Sequence, residues 1–377
     1  MGRVAATSGL GRFVLRARAG LVYRGGMARA SSKELVPALP VLAWYDAGRI
    51  TPLRLGLVVF FALLLVRVVV TAFAGRLDVV LEDGQSIELR EVRIGFVTSL
   101  LLGYALAAYG WSAQALRTQL ERLRPLFAGS ARALEEAHAQ AGHISARAQR
   151  RVFGWGLAIA FSIPFLVDRD PALYLRAEYW HPENILNWLA LPLGGVVALV
   201  LRSLWEDAWR LSRLADRVER LDLFEPRQLA PFGSQALRMA LLTVLFPSIF
   251  AVLLRDRGFA ALILVLGIAG AALATTAFLV PVQGIHRRLV QEKEAELARV
   301  RGALRGDAAA LDKSALRAWR GHASVADLLA YEARIEGVRE YPFDVPTLAR
   351  FAAFLLLPLG SWLGGALVER VVSILLG

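Results

Sequence analysis

The sequence predicts an all-α polytopic membrane protein with about seven transmembrane helices, long cytoplasmic helical extensions and a small outer β-hairpin. Three observations support this fold class. Hydrophobic residues make up 56% of the 377-residue chain. The charged residues are concentrated between long apolar runs, and several of these runs reach the ~20 residues that a helix needs to cross a bilayer. A soluble core of this size would not require so much apolar sequence.

Seven apolar runs are the predicted spans, and the third and fourth are short for a full crossing. With an odd number of crossings, the two ends of the chain lie on opposite sides of the membrane. The runs are residues 53–74, 94–116, 152–167, 185–201, 236–254, 259–282 and 348–368. They group the chain into membrane segments 53–116, 152–201, 235–282 and 348–377, the last with an outer tail.

The basic residues predict the orientation, because Arg and Lys are retained on the cytoplasmic side of a membrane. Four alternating segments hold 32 of the 44 basic residues, namely 1–52, 117–151, 202–234 and 283–347. The N-terminus is therefore expected inside and the C-terminus outside. The large excess of Arg over Lys is typical of a GC-rich bacterial genome, so we expect a bacterial inner membrane. The net charge of +12 then reflects topology and attraction to anionic membrane lipids, and nucleic acid is not an expected partner.

Two segments outside the spans have their own predicted character. Residues 1–52 are expected to form a basic, disordered cytoplasmic tail, although a reading frame that truly starts at Met27 is an equally favoured interpretation. Residues 77–91 alternate apolar and polar side chains on both sides of Asp83-Gly84. That dipeptide suits a type I′ turn, so an outer β-hairpin is predicted there.

The three cytoplasmic segments within the chain, 117–151, 202–234 and 283–347, are predicted to be helical. Leucines near heptad spacing over 202–224 indicate an amphipathic extension of the fourth span, and residues 285–304 extend the sixth. Ser324 and Asp327 form a capping box that opens a further helix. These helices either pack against one another or form a coiled coil with a homo-oligomer or a cytoplasmic protein partner.

One charged residue, Arg67, is expected well inside a span, about seven residues from its outer end. Burying an arginine in lipid costs about 2.5–3.5 kcal/mol on insertion scales, so a partner or an escape route is needed. One interpretation pairs Arg67 with an outer acid such as Asp168 as an intramembrane polar site. The other lets the side chain extend to the outer headgroups.

Prolines and small residues suggest where helices bend and meet. Four of the prolines inside predicted spans are candidate hinges, or simply packing residues: Pro164, Pro192, Pro247 and Pro358. The small-residue spacings that let helix backbones approach closely are Gly360/Gly364, Gly267/Ala271, Gly270/Ala274 and Gly103/Ala107. The basic triplet at an inner helix end, a candidate for lipid-phosphate contacts or simple membrane anchoring, is His286, Arg287 and Arg288.

No catalytic or cofactor motif supports an enzyme. The patterns HExxH, GxSxG, GxxxxGK[ST] and GxGxxG do not occur, there is no cysteine, and the five histidines form no metal-ligand spacing. No cofactor or metal is therefore expected. The first hypothesis is a passive channel or facilitator for a small solute. The alternative is a membrane sensor or scaffold whose cytoplasmic helices bind protein partners, and a lipid-handling enzyme ranks third.

Overall fold

The computed structural model describes residues 35–73, 87–127, 129–167, 190–218, 221–251, 260–319, 322, 324–343 and 345–356. Apart from Leu35, these residues belong to the unit Val36–Gly377. They are mostly helical, as the sequence predicts, and they include one small β-sheet.

Ten helices and two short strands make up this part of the chain. In chain order they are β1 (Leu35–Pro37), α1 (Leu42–Asp46), α2 (Pro52–Phe73), α3 (Ile87–Leu123), α4 (Ala131–Ala139), β2 (His143–Ser145), α5 (Ala146–Val167), α6 (Ala190–Ala215), α7 (Ala230–Ala251), α8 (Ala260–Leu304), α9 (Val325–Glu336) and α10 (Val345–Leu355). Single 3₁₀ turns lie at Arg124–Phe127, Pro226–Leu229, Ala308–Lys313 and Arg317–Trp319.

Four of the described helices, α2, α3, α7 and α8, are long and apolar enough to cross a membrane. Helix α2 matches the first predicted span to within one residue at each end. Only 17% of its apolar window is buried by protein, against 61% for α7. Exposed side chains such as Phe61 and Leu65 cover its outer face, so α2 is the most peripheral of the four.

The third and fourth predicted spans correspond to helices α5 and α6, which are not among those four. The first turn and a half of α5 carries three arginines, and the second half of α6 is rich in charged residues, so their apolar stretches are short. Residues 168–189 and 357–377, which contain parts of the fourth and seventh predicted spans, lie outside the described residues. The described residues thus support four spans and do not establish seven.

The helices pack as neighbouring pairs around an apolar interior. Helix α2 packs on α3, α5 on α6, and α7 on α8, while α3 and α8 both contact α6. Buried aliphatic side chains fill the space between α3, α6, α7 and α8. Phe278 of α8 is stacked between Phe343 and Phe351, with ring centroids 4.5 and 4.2 Å away, and so connects α8 to the chain on both sides of the start of α10.

The predicted outer hairpin is wrong in its second strand. Residues 87–91 belong to helix α3, and the rest of the predicted hairpin lies outside the described residues. The alternation is only a few residues long, and extending the helix of the second span costs little once that helix has formed. The sheet that does form pairs β1 with β2, two three-residue strands separated by about a hundred residues.

The predicted disordered tail does not extend to residue 52. Strand β1 and helix α1 are ordered, and Leu42 and Tyr45 of α1 are almost fully buried. Tyr45 donates a hydrogen bond to the carbonyl oxygen of Leu106 in α3 at 3.0 Å. An amphipathic segment preceding the first span is therefore part of the folded core, while residues 1–34 lie outside the described residues.

The leucine stripe of α6 is covered by the protein's own helices. Leu204, Leu211 and Leu214 are each at most 5% exposed. They pack in clusters with residues of α3, α7 and α8. The coiled-coil interpretation is therefore wrong for this stripe, and packing of the predicted helices against one another accounts for it.

Candidate functional site

Arg67 lies inside the protein, with a side chain that is 6% exposed. Its aliphatic stem crosses Gly95 of α3 so closely that a Cβ atom at position 95 would lie 2.7 Å from the Arg67 Cγ. Thr98 and Ser99 help line a small cavity beside it, of about 20 Å³. That space suits about one water molecule. The side chain does not extend into the surroundings of the bundle, and its pairing with Asp168 stays a prediction.

Several predicted site residues cannot be placed, because they lie outside the described residues. They are Asp168, Pro358, Gly360 and Gly364. The backbone at Pro164 is part of α5, and Pro192 is the third residue of α6 as described.

Small residues form close helix contacts at some of the predicted positions. A Cβ atom on Gly103 would lie 2.5 Å from the carbonyl oxygen of Gly56, so α2 and α3 touch backbone to backbone there. On α8 the contact is made by Gly270, where a Cβ atom would lie 2.7 Å from Pro247 of α7. Gly270 belongs to the predicted pair Gly270/Ala274, whereas the other predicted pair on that helix, Gly267 and Ala271, is offset from this contact. No described atom lies within 4 Å of the Cβ position of Gly267.

Pro247 lies inside the continuous helix α7, near two side chains that donate hydrogen bonds to carbonyl groups of that helix. Tyr104 of α3 donates to the carbonyl oxygen of Leu242, and Ser248 donates to that of Val244, both at 2.7 Å. A proline removes one backbone donor, here the one that would bond the Thr243 carbonyl oxygen, and the two hydroxyls bond the carbonyl groups on either side of it. A further proline, Pro281, lies buried inside α8 and was missed by the sequence analysis.

The basic triplet of α8 makes protein contacts. His286 Nδ1 lies 2.8 Å from the carbonyl oxygen of Glu340, and its ring stacks on Tyr341 at 4.0 Å. The other two members, Arg287 and Arg288, pair with carboxylates: Asp216 at 3.3 Å and Glu292 at 2.7 Å. In this conformation the triplet joins α8 to neighbouring segments, and its contact with lipid phosphates stays a prediction.

A buried carboxylate holds together the junction of α6, β2 and the turn before β2. Asp207 is 1% exposed and accepts hydrogen bonds from the Gly142 N–H and from Arg210 at 2.6 Å. Arg210 also donates to the carbonyl oxygens of Gln140 and His143. Burial raises the pKa of Asp207 to about 6, against the opposing effects of Arg210 and Gly142. Asp207 lies beyond the apolar half of α6.

A second buried carboxylate organises what we call the polar layer: residues 122–127, 129–139, 221–229, 285–319 and 324–336. Glu296 of α8 is 4% exposed and accepts hydrogen bonds from Ser314, from Tyr331 at 3.1 Å and from Arg299 at 2.6 Å. The backbone N–H of Ala315 is a fourth donor. Burial, followed by the Glu296 charge, raises the pKa of Tyr331, so this phenol stays protonated and donates.

The polar layer contains a cavity of about 800 Å³, which we call the Glu296 cavity. Five parts of the chain form its wall. They are the end of α3 with the 3₁₀ turn that follows it, the loop before α7, the second half of α8, the 3₁₀ turn Ala308–Lys313 with the residues after it, and α9. The residues that line it are Arg122, Pro125, Leu126, Leu221, Asp222, Leu223, Phe224, Glu225, Gln228, Glu292, Glu296, Arg299, Lys313, Ala315 and Tyr331. A volume of this size accommodates a small organic ligand.

The wall of the Glu296 cavity offers both charged groups and apolar surface. Phe224 and Tyr331 contact each other with ring centroids 5.6 Å apart. Charges of both signs surround them, so the cavity can bind and orient a molecule with polar and apolar parts. Within the described residues, no group of three or more His, Asp or Glu side chains is placed to hold a metal ion.

Four helices of membrane-spanning length and apolar composition are compatible with an integral membrane protein. The polar layer with its cavity adds a candidate binding site outside the apolar part of these helices. No protein-family model matches the chain, and no curated protein or solved structure matches it either. The function is therefore argued from the site alone.

The sequence analysis missed the two carboxylates on which these sites depend. Asp207 lies between Leu204 and Leu211 on the apolar stripe of α6, and Glu296 lies four residues before Val300 on that of α8. An acid on an otherwise apolar helix face needs buried donors, because an unpaired buried charge is costly. The position of each acid on an apolar stripe is visible in the sequence and indicates such a buried site.

Proposed function

We propose that this chain is an integral membrane protein that senses a small solute, which it binds in the Glu296 cavity. The observation that carries this proposal is the position of the cavity. The large cavity lies in the polar layer, among Glu296, Tyr331 and Arg299, whereas the cavity near Arg67 has room for about one water molecule. A cavity of this size beside charged and aromatic side chains supports the binding of a small solute.

We further propose that the polar layer is cytoplasmic and that the membrane is a bacterial inner membrane. The polar layer includes parts of the two most basic internal segments, 117–151 and 283–347, and basic segments are retained inside. A ligand of this site is then a solute of the cytoplasm or of the inner membrane surface. Output through a cytoplasmic protein partner, or through a second copy of the chain, belongs to the same proposal.

The passive channel or facilitator is the weaker proposal. A conduit needs polar groups directed at a continuous path. Hydroxyls buried in the described part of α7 instead bond to their own helix, as with Thr243 to the Met239 carbonyl oxygen and Ser248 to that of Val244. The proline at position 247 of α7 favours a conduit only if the remaining predicted spans complete a polar path.

The scaffold hypothesis, in which a protein partner packs on residues 202–224, lacks an exposed apolar surface for that partner. Leu204, Leu211 and Leu214 are buried in the protein, so a partner cannot pack on them without opening the bundle. The sensor version does not need this stripe, because its ligand site is the cavity.

Two measurements test the sensor proposal on the full-length chain. In proteoliposomes, we expect no release of potassium, chloride or glycerol above that of empty vesicles. In nanodiscs, we expect a panel of small metabolites to contain a ligand that raises the thermal midpoint by several degrees, because a ligand that binds only the native state stabilises it. Solute release above background, or no stabilising ligand, would contradict the proposal.

A cavity-filling variant ties the thermal shift to the site. Ala315 lines the cavity, and Ala315→Trp is expected to abolish the ligand-induced shift. Ala309 is exposed in the same layer and does not line the cavity, so Ala309→Trp is the matched control and should keep the shift. An equal shift in both variants would place the ligand elsewhere.

A further inference from the structure

Two basic side chains that line the Glu296 cavity have no hydrogen-bond or ion-pair partner among the described residues. Arg122, near the end of α3, and Lys313, at the end of a 3₁₀ turn, both line it. Neither makes a hydrogen bond or an ion pair with its side chain to any described residue. The third base of the wall, Arg299, is held by Glu296.

The acids of the wall, in contrast, already accept hydrogen bonds. Glu292 pairs with Arg288 at 2.7 Å. Asp222 accepts from the backbone N–H of Phe224 at 2.8 Å, and Glu225 accepts from the side chain of Gln228. With the four donors on Glu296, every acid of the wall has at least one donor, whereas Arg122 and Lys313 have no acceptor among the described residues.

The wall itself holds three bases and four acids, and a further base lies beside Arg122. Arg238 of α7 is close enough for the two positive charges to act on one another. Arg238 itself contacts the side-chain oxygen of Gln235 and the ring of Trp111, which are uncharged groups. No described carboxylate neutralises either arginine, so an anion that enters beside Arg122 would relieve repulsion as well as gain an ion pair.

Apolar side chains complete the wall beside these charges. Leu126, Leu221 and Leu223 line the cavity together with the rings of Phe224 and Tyr331. A fully hydrated inorganic ion would leave this surface unused. A ligand that carries an anionic head and an apolar or aromatic body would cover it, as is usual for small-molecule sites with few polar anchors.

We propose that the Glu296 cavity binds a small amphipathic organic anion, with its phosphate or carboxylate between Arg122 and Lys313 and its apolar part against the rings of Phe224 and Tyr331. This proposal rests on the proposed sensor function and names the chemical class of its ligand. The same anionic chemistry is available from a soluble metabolite or from the headgroup of an anionic phospholipid. The experiment distinguishes the two sources.

Binding to the full-length chain in zwitterionic nanodiscs is measured by calorimetry with three soluble probes: phenyl phosphate, inorganic phosphate and benzylamine. We expect phenyl phosphate to bind most tightly, inorganic phosphate more weakly, and benzylamine, a cation of similar size, not at all. Arg122→Gln and Lys313→Gln are each expected to weaken phenyl phosphate binding roughly tenfold, because each removes a charge-assisted hydrogen bond. Arg305→Gln, an exposed base in the same layer outside the cavity wall, is the matched control and should bind as the wild type does.

A parallel arm replaces part of the zwitterionic lipid with phosphatidylglycerol. A rise in thermal midpoint that depends on Arg122 and Lys313, without binding of phenyl phosphate, would support the proposal with a lipid as the source of the anion. Preferred binding of benzylamine, or anion binding unchanged in both glutamine variants, would overturn it. Stabilisation by an uncharged metabolite that Ala315→Trp abolishes would also overturn the anion proposal while leaving the sensor function standing.

Discussion

Asp207 lies on the apolar stripe of α6, and its environment decides what the residue contributes. The carboxylate has two donors, the Gly142 N–H and Arg210, and almost no contact with solvent. Gly142 adopts a positive φ of 78°, so the turn before β2 is one that glycine favours. One buried acid thus fixes α6 to a turn about sixty residues earlier in the chain.

The raised pKa of Asp207 predicts a pH dependence of stability. The pKa of Asp207 is about 6 in the folded chain and 3.8 in the unfolded chain. Between these two pH values, Asp207 is therefore protonated in the folded state and ionised in the unfolded state. The contribution of Asp207 to the free energy of unfolding is therefore fully present below pH about 4. It decreases as the pH rises to about 6 and stays constant above that value. We expect the difference in thermal midpoint between wild type and Asp207→Asn to change over that range, measured in detergent at closely spaced pH values. A difference that is constant with pH would contradict this.

Glu296 is expected to be the most sensitive residue of the polar layer. Glu296→Ala leaves four donors without their acceptor and should cost about 3–5 kcal/mol, as is typical when one member of a buried charged network is removed. Glu296→Gln keeps an acceptor oxygen and should cost less. Hydrogen exchange over 308–336 is the measurement, because that segment is held by the donors Ser314 and Tyr331. The exposed Glu294→Ala is the control, and equal exchange in both alanine variants would refute the assignment.

At the scale of elements, glycines determine which helices can touch. The α2–α3 contact at Gly56 and Gly103 and the α5–α6 contact at Gly156 and Gly194 are both backbone-to-backbone approaches. No side chain larger than hydrogen fits there without separating the helices. The pairing of α2 with α3 and of α5 with α6 therefore depends on these four positions.

Two glycine-to-alanine changes should have opposite signs. Gly103→Ala adds a methyl group 2.5 Å from a carbonyl oxygen of α2 and should destabilise the chain by about 1–3 kcal/mol. Gly267→Ala adds the same group where no described atom lies within 4 Å, so the helix propensity gain of up to ~1 kcal/mol should dominate. Thermal unfolding of both variants in the same detergent is the measurement. Destabilisation by both would show that Gly267 packs against another surface.

Elements were predictable from sequence where a local signal was long or specific. Helix α2 follows from one continuous apolar run, and the capping box of Ser324 and Asp327 forms as predicted at the start of α9. The residues 87–91 were mispredicted because a short alternation competes poorly with an adjoining helix. The β1–β2 sheet has no local signal, since each strand is three residues long and its partner is distant.

At the scale of the whole molecule, the cavity could not be predicted, because five separate segments build it. The sequence does show that Glu296 and Asp207 interrupt apolar stripes, yet it does not show which donors meet them. Ser314 and Tyr331 approach Glu296 only through the return of the chain after α8. The position of an acid on an apolar stripe predicts that it needs hydrogen-bond donors. Which residues are the donors is determined by the tertiary structure.

The orientation proposed for the chain can be tested without background labelling, because the sequence contains no cysteine. Arg132→Cys in α4 and Arg305→Cys after α8 place thiols at exposed positions of segments expected inside. Ala172→Cys places one in a segment expected outside. We expect a membrane-impermeant maleimide to label only Ala172→Cys in intact cells and all three after lysis. Labelling of all three in intact cells would contradict the proposed topology.

Helix α8 has a mechanical consequence for the molecule. It runs unbroken for 45 residues, which corresponds to about 67 Å at 1.5 Å per residue. Its first half belongs to the apolar bundle and its second half carries the Glu296 wall, so the two halves form one continuous rod. If the helix stays straight, a tilt of its apolar half displaces the half that carries the Glu296 wall. The buried Pro281 is the position at which the helix would bend most easily.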